Sequence, residues 1–176
     1  MVNMFVLYSG NDTAVAIAEH VGGTVEEFAN MMNEKASELM ATNSHFTNPS
    51  GLYDDDHYTT AYDLYLIFNE CIKHDKFIDI ISAKSYTAEI TRSDNSMLKI
   101  KWEPTNYYAL GSAECPENVT IVGGKTGTLK VAGNCLILMA KDTNDQPYIS
   151  IVMGADSKDY LYQDMTTLLS IIPKNE

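Results

Sequence analysis

The sequence has no run of about 18 apolar residues, so nothing in it reads as a membrane-spanning helix. It is poor in positive charge, with 12 Lys and Arg against 24 Asp and Glu and a net charge of −12. A surface this acidic repels phosphate backbones and anionic headgroups. It excludes nucleic acid or an anionic membrane as the main partner, while leaving room for one small cationic pocket. Cysteine is scarce: Cys71, Cys115 and Cys135 are odd in number and widely spaced, and read as free thiols rather than a disulfide framework or a zinc pattern. His20, His45, His57 and His74 are scattered without ligand spacing, so no metal and no cofactor are expected. Asp54-Asp55-Asp56 lacks the alternating spacing and closing glutamate of a calcium loop and reads as solvated loop. The apolar stretch Met1 to Leu7 is too short for a secretory signal and carries no basic segment or cleavage site. Internal repeats and low-complexity tracts are absent as well.

What is there is one domain's worth of chain. Its 176 residues, 45% of them apolar, can bury a sizeable core. The first half has helical spacing. Asn11 and Asp12 are placed to cap a helix that Gly22-Gly23 stops, and Thr24 with Glu27 forms a capping box ahead of Phe28, Met31, Met32, Ala36 and Leu39. Residues 42–57 are rich in Asn, Ser, Asp, Gly and Pro and read as loop. Thr59 or Thr60 caps a third helix, and a short one is expected around Phe77 to Ile81. The second half changes period. Strands are predicted at Ser85 to Thr91, Met97 to Trp102, Asn118 to Thr128, Asn134 to Lys141 and Tyr148 to Gly154, with a hairpin over 142–146 and a closing helix over Asp159 to Ile172. Helices, then an antiparallel meander, then a helix make an α+β pattern.

Two short motifs carry candidate chemistry. Gly124-Lys125-Thr126-Gly127 follows the β-branched run Val119-Thr120-Ile121-Val122-Gly123. Lys125 supplies charge, Thr126 a hydroxyl, and the glycines let a ligand approach the main chain. Ser9-Gly10-Asn11 lies in a turn before the first helix, where a serine and an asparagine two apart can aim into one cleft. Standing alone, the triplet reads as a helix cap.

Taken together and in order, these motifs resemble the serine-type D-alanyl-D-alanine carboxypeptidases, the low-molecular-weight penicillin-binding proteins. The resemblance runs from Ser9-Gly10-Asn11-Asp12-Thr13-Ala14 and Ala18-Glu19-His20-Val21-Gly22-Gly23, through Phe46-Thr47-Asn48-Pro49-Ser50-Gly51-Leu52 and His57-Tyr58-Thr59-Thr60-Ala61-Tyr62-Asp63-Leu64, to Gly124-Lys125-Thr126-Gly127-Thr128 and Ala132-Gly133-Asn134-Cys135. It implies part of a β-lactamase/DD-peptidase-like fold and serine acyl transfer, in which a serine attacks the bond between two D-alanines of a peptidoglycan stem peptide. On this mapping the catalytic residues are Ser9, Asn11 and Lys125. Ser9 relays a proton, Asn11 hydrogen-bonds the acyl side, and Lys125 adds positive potential and ties Ser9 to its strand. Substrate binding falls to Thr126, which takes the free carboxylate, and to Thr128, whose N–H is one oxyanion donor, with Gly127 keeping that approach open.

The resemblance also implies a Ser-x-x-Lys nucleophile at a helix start upstream of Ser9, where only eight residues stand. The expectation is therefore a single partial domain, helical over about 9–82 and sheet over about 84–176. It would be the C-terminal part of a catalytic domain, without the nucleophile, its lysine partner, one oxyanion donor and the first two strands of a five-stranded sheet, and inactive by itself. Ser96-Met97-Leu98-Lys99 matches the string but falls in an extended stretch, where positions three apart face opposite ways. Implied partners are stem peptides ending in D-Ala-D-Ala and, for the full-length parent, β-lactams, with the parent working in the cell envelope. The strand at Tyr148 to Gly154, left as an apolar edge, is expected to drive self-association. A serine β-lactamase-type fragment and a non-catalytic module binding D-Ala-D-Ala peptides are the alternatives. Asn48-Pro49-Ser50-Gly51-Leu52 favours the carboxypeptidase.

Overall fold

A computed structural model describes residues 1–173. The chain opens with a short helix, α1 (Val2–Tyr8), which burial of Leu7 pins to the rest and which periodicity over so short a stretch could not reveal. α1 ends at Ser9, a left-handed residue with φ 64° and ψ 43° whose N–H reaches Phe5 O at 3.0 Å. α2 (Asn11–Gly22) follows at once. Its cap is Gly10, not Asn11 or Asp12 as the sequence suggests, and the cap makes no side-chain hydrogen bond. Gly10 packs closely on side chains: a Cβ there would stand 2.9 Å from Met4 Cε, the mobile end of its side chain, and 3.0 Å from Thr13 Oγ1. With Gly10 as the cap, Asn11 is the first helical residue.

The next two helices begin as expected. Thr24 Oγ1 accepts from Glu27 N–H at 3.1 Å to start α3 (Val25–Glu38), and Thr60 Oγ1 accepts from Asp63 N–H at 3.1 Å to start α4 (Ala61–Cys71). α5 (Asp75–Ile81) completes the helical part. β1 (Tyr86–Thr91) and β2 (Met97–Trp102) form a separate antiparallel hairpin, and α6 (Tyr107–Leu110) is a single turn.

The main sheet is a three-stranded antiparallel meander of β3 (Val119–Leu129), β4 (Gly133–Asp142) and β5 (Pro147–Ala155), in that order. Asp142 Oδ1 closes the β4–β5 connection by accepting from Asn144 N–H at 2.8 Å and Gln146 N–H at 2.9 Å, and Pro147 begins β5. β4 is central and buried on both faces. Leu136, Leu138 and Ala140 pack on Leu161, Met165 and Leu169 of α7 (Lys158–Ser170). Ile137 and Met139, on the alternate face, join Phe68 of α4 and Ile81 of α5.

The Lys-Thr-Gly motif lies inside β3 and not at its end: Gly124 to Gly127 pair with Leu138 to Cys135 in continuous register. The glycines divide accordingly. Cβ atoms at Gly123 and Gly124 would come 2.0 Å from the carbonyl oxygens of Ile81 and Ile137, so these two glycines serve close backbone packing, and only Gly127 faces open space. Among the described residues no helix is long and apolar enough to cross a membrane, and no cluster of His, Cys, Asp and Glu is placed to hold a metal. Cys71, Cys115 and Cys135 are free.

Candidate active-site cleft

The turn between α1 and α2, the loop over 42–60, the segment before α6 and the far half of β3 meet around a cleft of about 960 Å³. Ser9, Asn11, Lys125, Thr126, Gly127 and Thr128 all line it. Positions more than a hundred residues apart are thus gathered on one wall. Lys125 Nζ donates to Ser9 Oγ across the gap and to its neighbour's carbonyl, Thr126 O, at 2.7 Å. Burial pushes the Lys125 ammonium down from 10.5 to about 8, because few water molecules remain to solvate the charge. Ser9 is held toward the lysine by its left-handed backbone, a strained conformation of the kind that tightly packed functional sites retain.

The 42–60 loop forms the facing wall, and a buried carboxylate anchors it. Asp63, fully buried at the start of α4, accepts from Asn43 N–H and Ser44 Oγ–H, both at 2.7 Å. Ser44 Oγ also bonds Thr59 Oγ1 at 2.7 Å, and an isolated bridge joins His45 to Tyr58. Asn33 of α3 clamps the Phe46 backbone from N–H and carbonyl sides at 2.7 and 2.8 Å. Within Asn48-Pro49-Ser50-Gly51-Leu52, Asn48 Oδ1 gathers the N–H groups of Ser50, Gly51 and Leu52 at 3.2, 2.8 and 3.1 Å, an Asx-type turn that Gly51 allows with φ 75°. His57 Nδ1 accepts from Thr47 N–H at 3.1 Å, which fixes the proton of the neutral ring on Nε2, and burial lowers its pKa further. His57 bonds its own loop and also lines the cleft.

Three further residues line the cleft without a role there having been read from the sequence. Thr105 sits before α6 and its hydroxyl hydrogen-bonds the Thr126 hydroxyl. Lys158, at the start of α7, lies 5.3 Å over the Tyr107 ring and puts a second cation on the cleft wall. Cys135 stands across from Gly127 in the β3–β4 register. Thr105 and Lys158 belong to no motif and reach the cleft only through contacts made by the fold, whereas Cys135 closes the Ala132-Gly133-Asn134-Cys135 segment of the resemblance. Ser96 and Lys99 are remote from it: they lie in the β1–β2 hairpin, where Lys99 pairs with Glu89 at 2.6 Å.

Comparison with known proteins bears on this arrangement. A family described as D-alanyl-D-alanine carboxypeptidase (peptidase S11) matches residues 1–157. The chain belongs to this D-alanyl-D-alanine carboxypeptidase family. It is 32% identical to the D-alanyl-D-alanine carboxypeptidase DacF of Bacillus subtilis over 174 residues, covering 96% of the chain and 41% of that protein. It is also 32% identical to the carboxypeptidase DacD of Escherichia coli, over 86% of the chain and 36% of the relative. The crystal structure of the Streptomyces K15 DD-transpeptidase superposes with a TM-score of 0.87 at 26% identity, covering 96% of this chain and 64% of that one. Penicillin-binding protein 5 from Haemophilus influenzae gives a TM-score of 0.77 at 28% identity, covering 96% and 45%. The chain therefore spans about two fifths of the length of these carboxypeptidase relatives. The α+β architecture, with helices first and α7 closing the sheet, is that of the family's solved structures.

Within a carboxypeptidase frame, the cleft offers a buried cation, two paired threonine hydroxyls and an unobstructed strand backbone at Gly127. Such a set can hold an anion against a strand and pass a proton between Ser9 and Lys125.

Proposed function

We propose that the cleft is the leaving-group half of a D-Ala-D-Ala carboxypeptidase site in the longer protein. Ser9 relays a proton toward the departing amine, Lys125 supplies potential and fixes Ser9, and Asn11 hydrogen-bonds the acyl side. Thr126 receives the terminal carboxylate, and the Thr128 N–H is one of two oxyanion donors, with Gly127 leaving that N–H open to the substrate. The observation that carries this reading is the bond from Lys125 Nζ to Ser9 Oγ. It joins the two motifs into one half-buried, polar wall. The substrate class is a peptidoglycan stem peptide ending in D-Ala-D-Ala, with β-lactams as its mimics in the full-length protein, and the place of work is the cell envelope. The remaining Ser-x-x-Lys string lies in an exposed hairpin away from the cleft, so the 176-residue chain alone binds without forming an acyl-enzyme.

Calorimetry of the purified chain with an N-acyl-D-Ala-D-Ala peptide tests the reading. Binding is expected, with a loss of about tenfold in Thr126→Val, the size of one charge-assisted hydrogen bond. A chain that binds no such peptide overturns the proposal. A fluorescent penicillin that labels the chain covalently at a serine overturns its non-catalytic part.

A further inference from the structure

Thr105 stands 21 residues before Thr126, and the two side-chain hydroxyls hydrogen-bond each other on the cleft wall. The segment carrying Thr105 is fixed from behind. Asn106, buried, caps α6 by accepting from Tyr108 N–H at 3.0 Å. Tyr107 N–H donates to Tyr162 Oη at 2.8 Å, and the Tyr107 and Tyr162 rings stack with centroids 4.6 Å apart. Tyr108 Oη bonds Thr166 Oγ1 at 2.7 Å. α7 thus sets where Thr105 stands, independently of anything bound in the cleft.

Each threonine hydroxyl has one proton to give and two lone pairs to receive. With no acceptor beside Thr126, either hydroxyl can donate to the other. A carboxylate is acceptor-only. When it takes the Thr126 proton, the Thr105–Thr126 bond can run in one direction alone, with Thr105 donating into Thr126 Oγ1. The resulting chain, Thr105 O–H to Thr126 O–H to carboxylate, polarises in one sense and strengthens the terminal bond. A carboxamide brings N–H donors as well, is satisfied by either direction, and gains less.

We propose that Thr105 is a specificity-determining positioning residue, which acts through Thr126 to favour peptides with an ionised C-terminal carboxylate over the same peptides ending in an amide. It rests on the reading of Thr126 as the carboxylate site. The experiment compares binding of an N-acyl-D-Ala-D-Ala peptide and its C-terminal carboxamide to the 176-residue chain and to Thr105→Val and Thr105→Ser, by calorimetry. The acid-to-amide affinity ratio is expected to fall about fivefold in Thr105→Val, the scale of one polarised hydrogen bond, and to recover in Thr105→Ser. If Thr105→Val does not fold, Thr105→Ala takes its place with the same expected fall. A ratio unchanged in the hydroxyl-free variant, even where both affinities drop together, overturns the role of Thr105 alone, as does a serine variant that fails to restore it. A parent chain that binds neither peptide overturns the underlying reading of the cleft and this inference with it.

Discussion

Lys125 is held in surroundings that do not suit its charge. Its ammonium is pushed down from 10.5 to about 8 by burial, so the protonated form is less favourable in the folded chain than in the unfolded one. Below about pH 8 both states carry the proton and the whole penalty, about 3 kcal/mol, is present. Between about pH 8 and 10.5 the unfolded chain keeps a proton that the folded one has released, so stability rises with pH, and above that window the penalty is gone. Lys125→Met is therefore expected to be more stable than the parent at pH 7 by about 1–3 kcal/mol, less whatever the lost bonds to Ser9 Oγ and Thr126 O had contributed. That advantage should close by about pH 10 while peptide binding is lost. Urea melts at the two pH values measure it, and a variant less stable than the parent at pH 7 would refute the account. Ser9, Asn11, Lys125, Thr126, Gly127 and Thr128 were legible in the sequence because residue type, order and motif spacing are local properties. Thr105 and Lys158 were not, since one acts through a hydroxyl contact across 21 residues and the other through a ring it happens to cover.

At the scale of elements, the long strands and amphipathic helices announce themselves by period, and the capping threonines Thr24 and Thr60 fix where α3 and α4 begin. α1 and α6 are too short to show a period, and the cap of α2 falls on Gly10 because the left-handed Ser9 that ends α1 directly precedes it and lets α2 start at Asn11. The glycines of β3 show the same division between local and tertiary information. Read from the sequence, Gly124 and Gly127 both clear a path for ligand. In the fold, β3 presses Gly123 against the end of α5 and Gly124 against β4, with Ile81 O and Ile137 O each 2.0 Å from where a Cβ would be, and only Gly127 is open, its nearest neighbour Cys135 Cβ at 4.0 Å. Backbone cannot yield as a flexible side chain can. Gly123→Ala and Gly124→Ala are expected to destabilise the fold by at least about 3 kcal/mol each, and Gly127→Ala by no more than about 1 kcal/mol while weakening peptide binding. Chemical denaturation of the three variants separates these outcomes, and equal losses at all three positions would contradict the packing argument.

For the whole molecule, the question is what becomes of the sheet's outer edge. β4 is paired on both sides, whereas β5 pairs only with β4 among the described residues. Its Ile149, Ile151 and Val152 are half-buried, so the edge joins free backbone donors and acceptors to partly exposed apolar side chains, the combination that recruits another strand. Opposing this is the net charge of −12, which makes two copies repel. The balance predicts concentration-dependent self-association of the 176-residue chain that strengthens as salt is added, because screening removes the repulsion and leaves strand pairing and apolar contact intact. Association through opposite charges would respond to salt in the reverse sense. Sedimentation velocity across a concentration series at low and high salt reads the sign, and hydrogen exchange places it: β5 amides should exchange more slowly at high protein concentration, while those of the β1–β2 hairpin stay unchanged. A single monomeric species throughout, with β5 amides exchanging freely, would show that the acidic surface alone is enough to protect the edge.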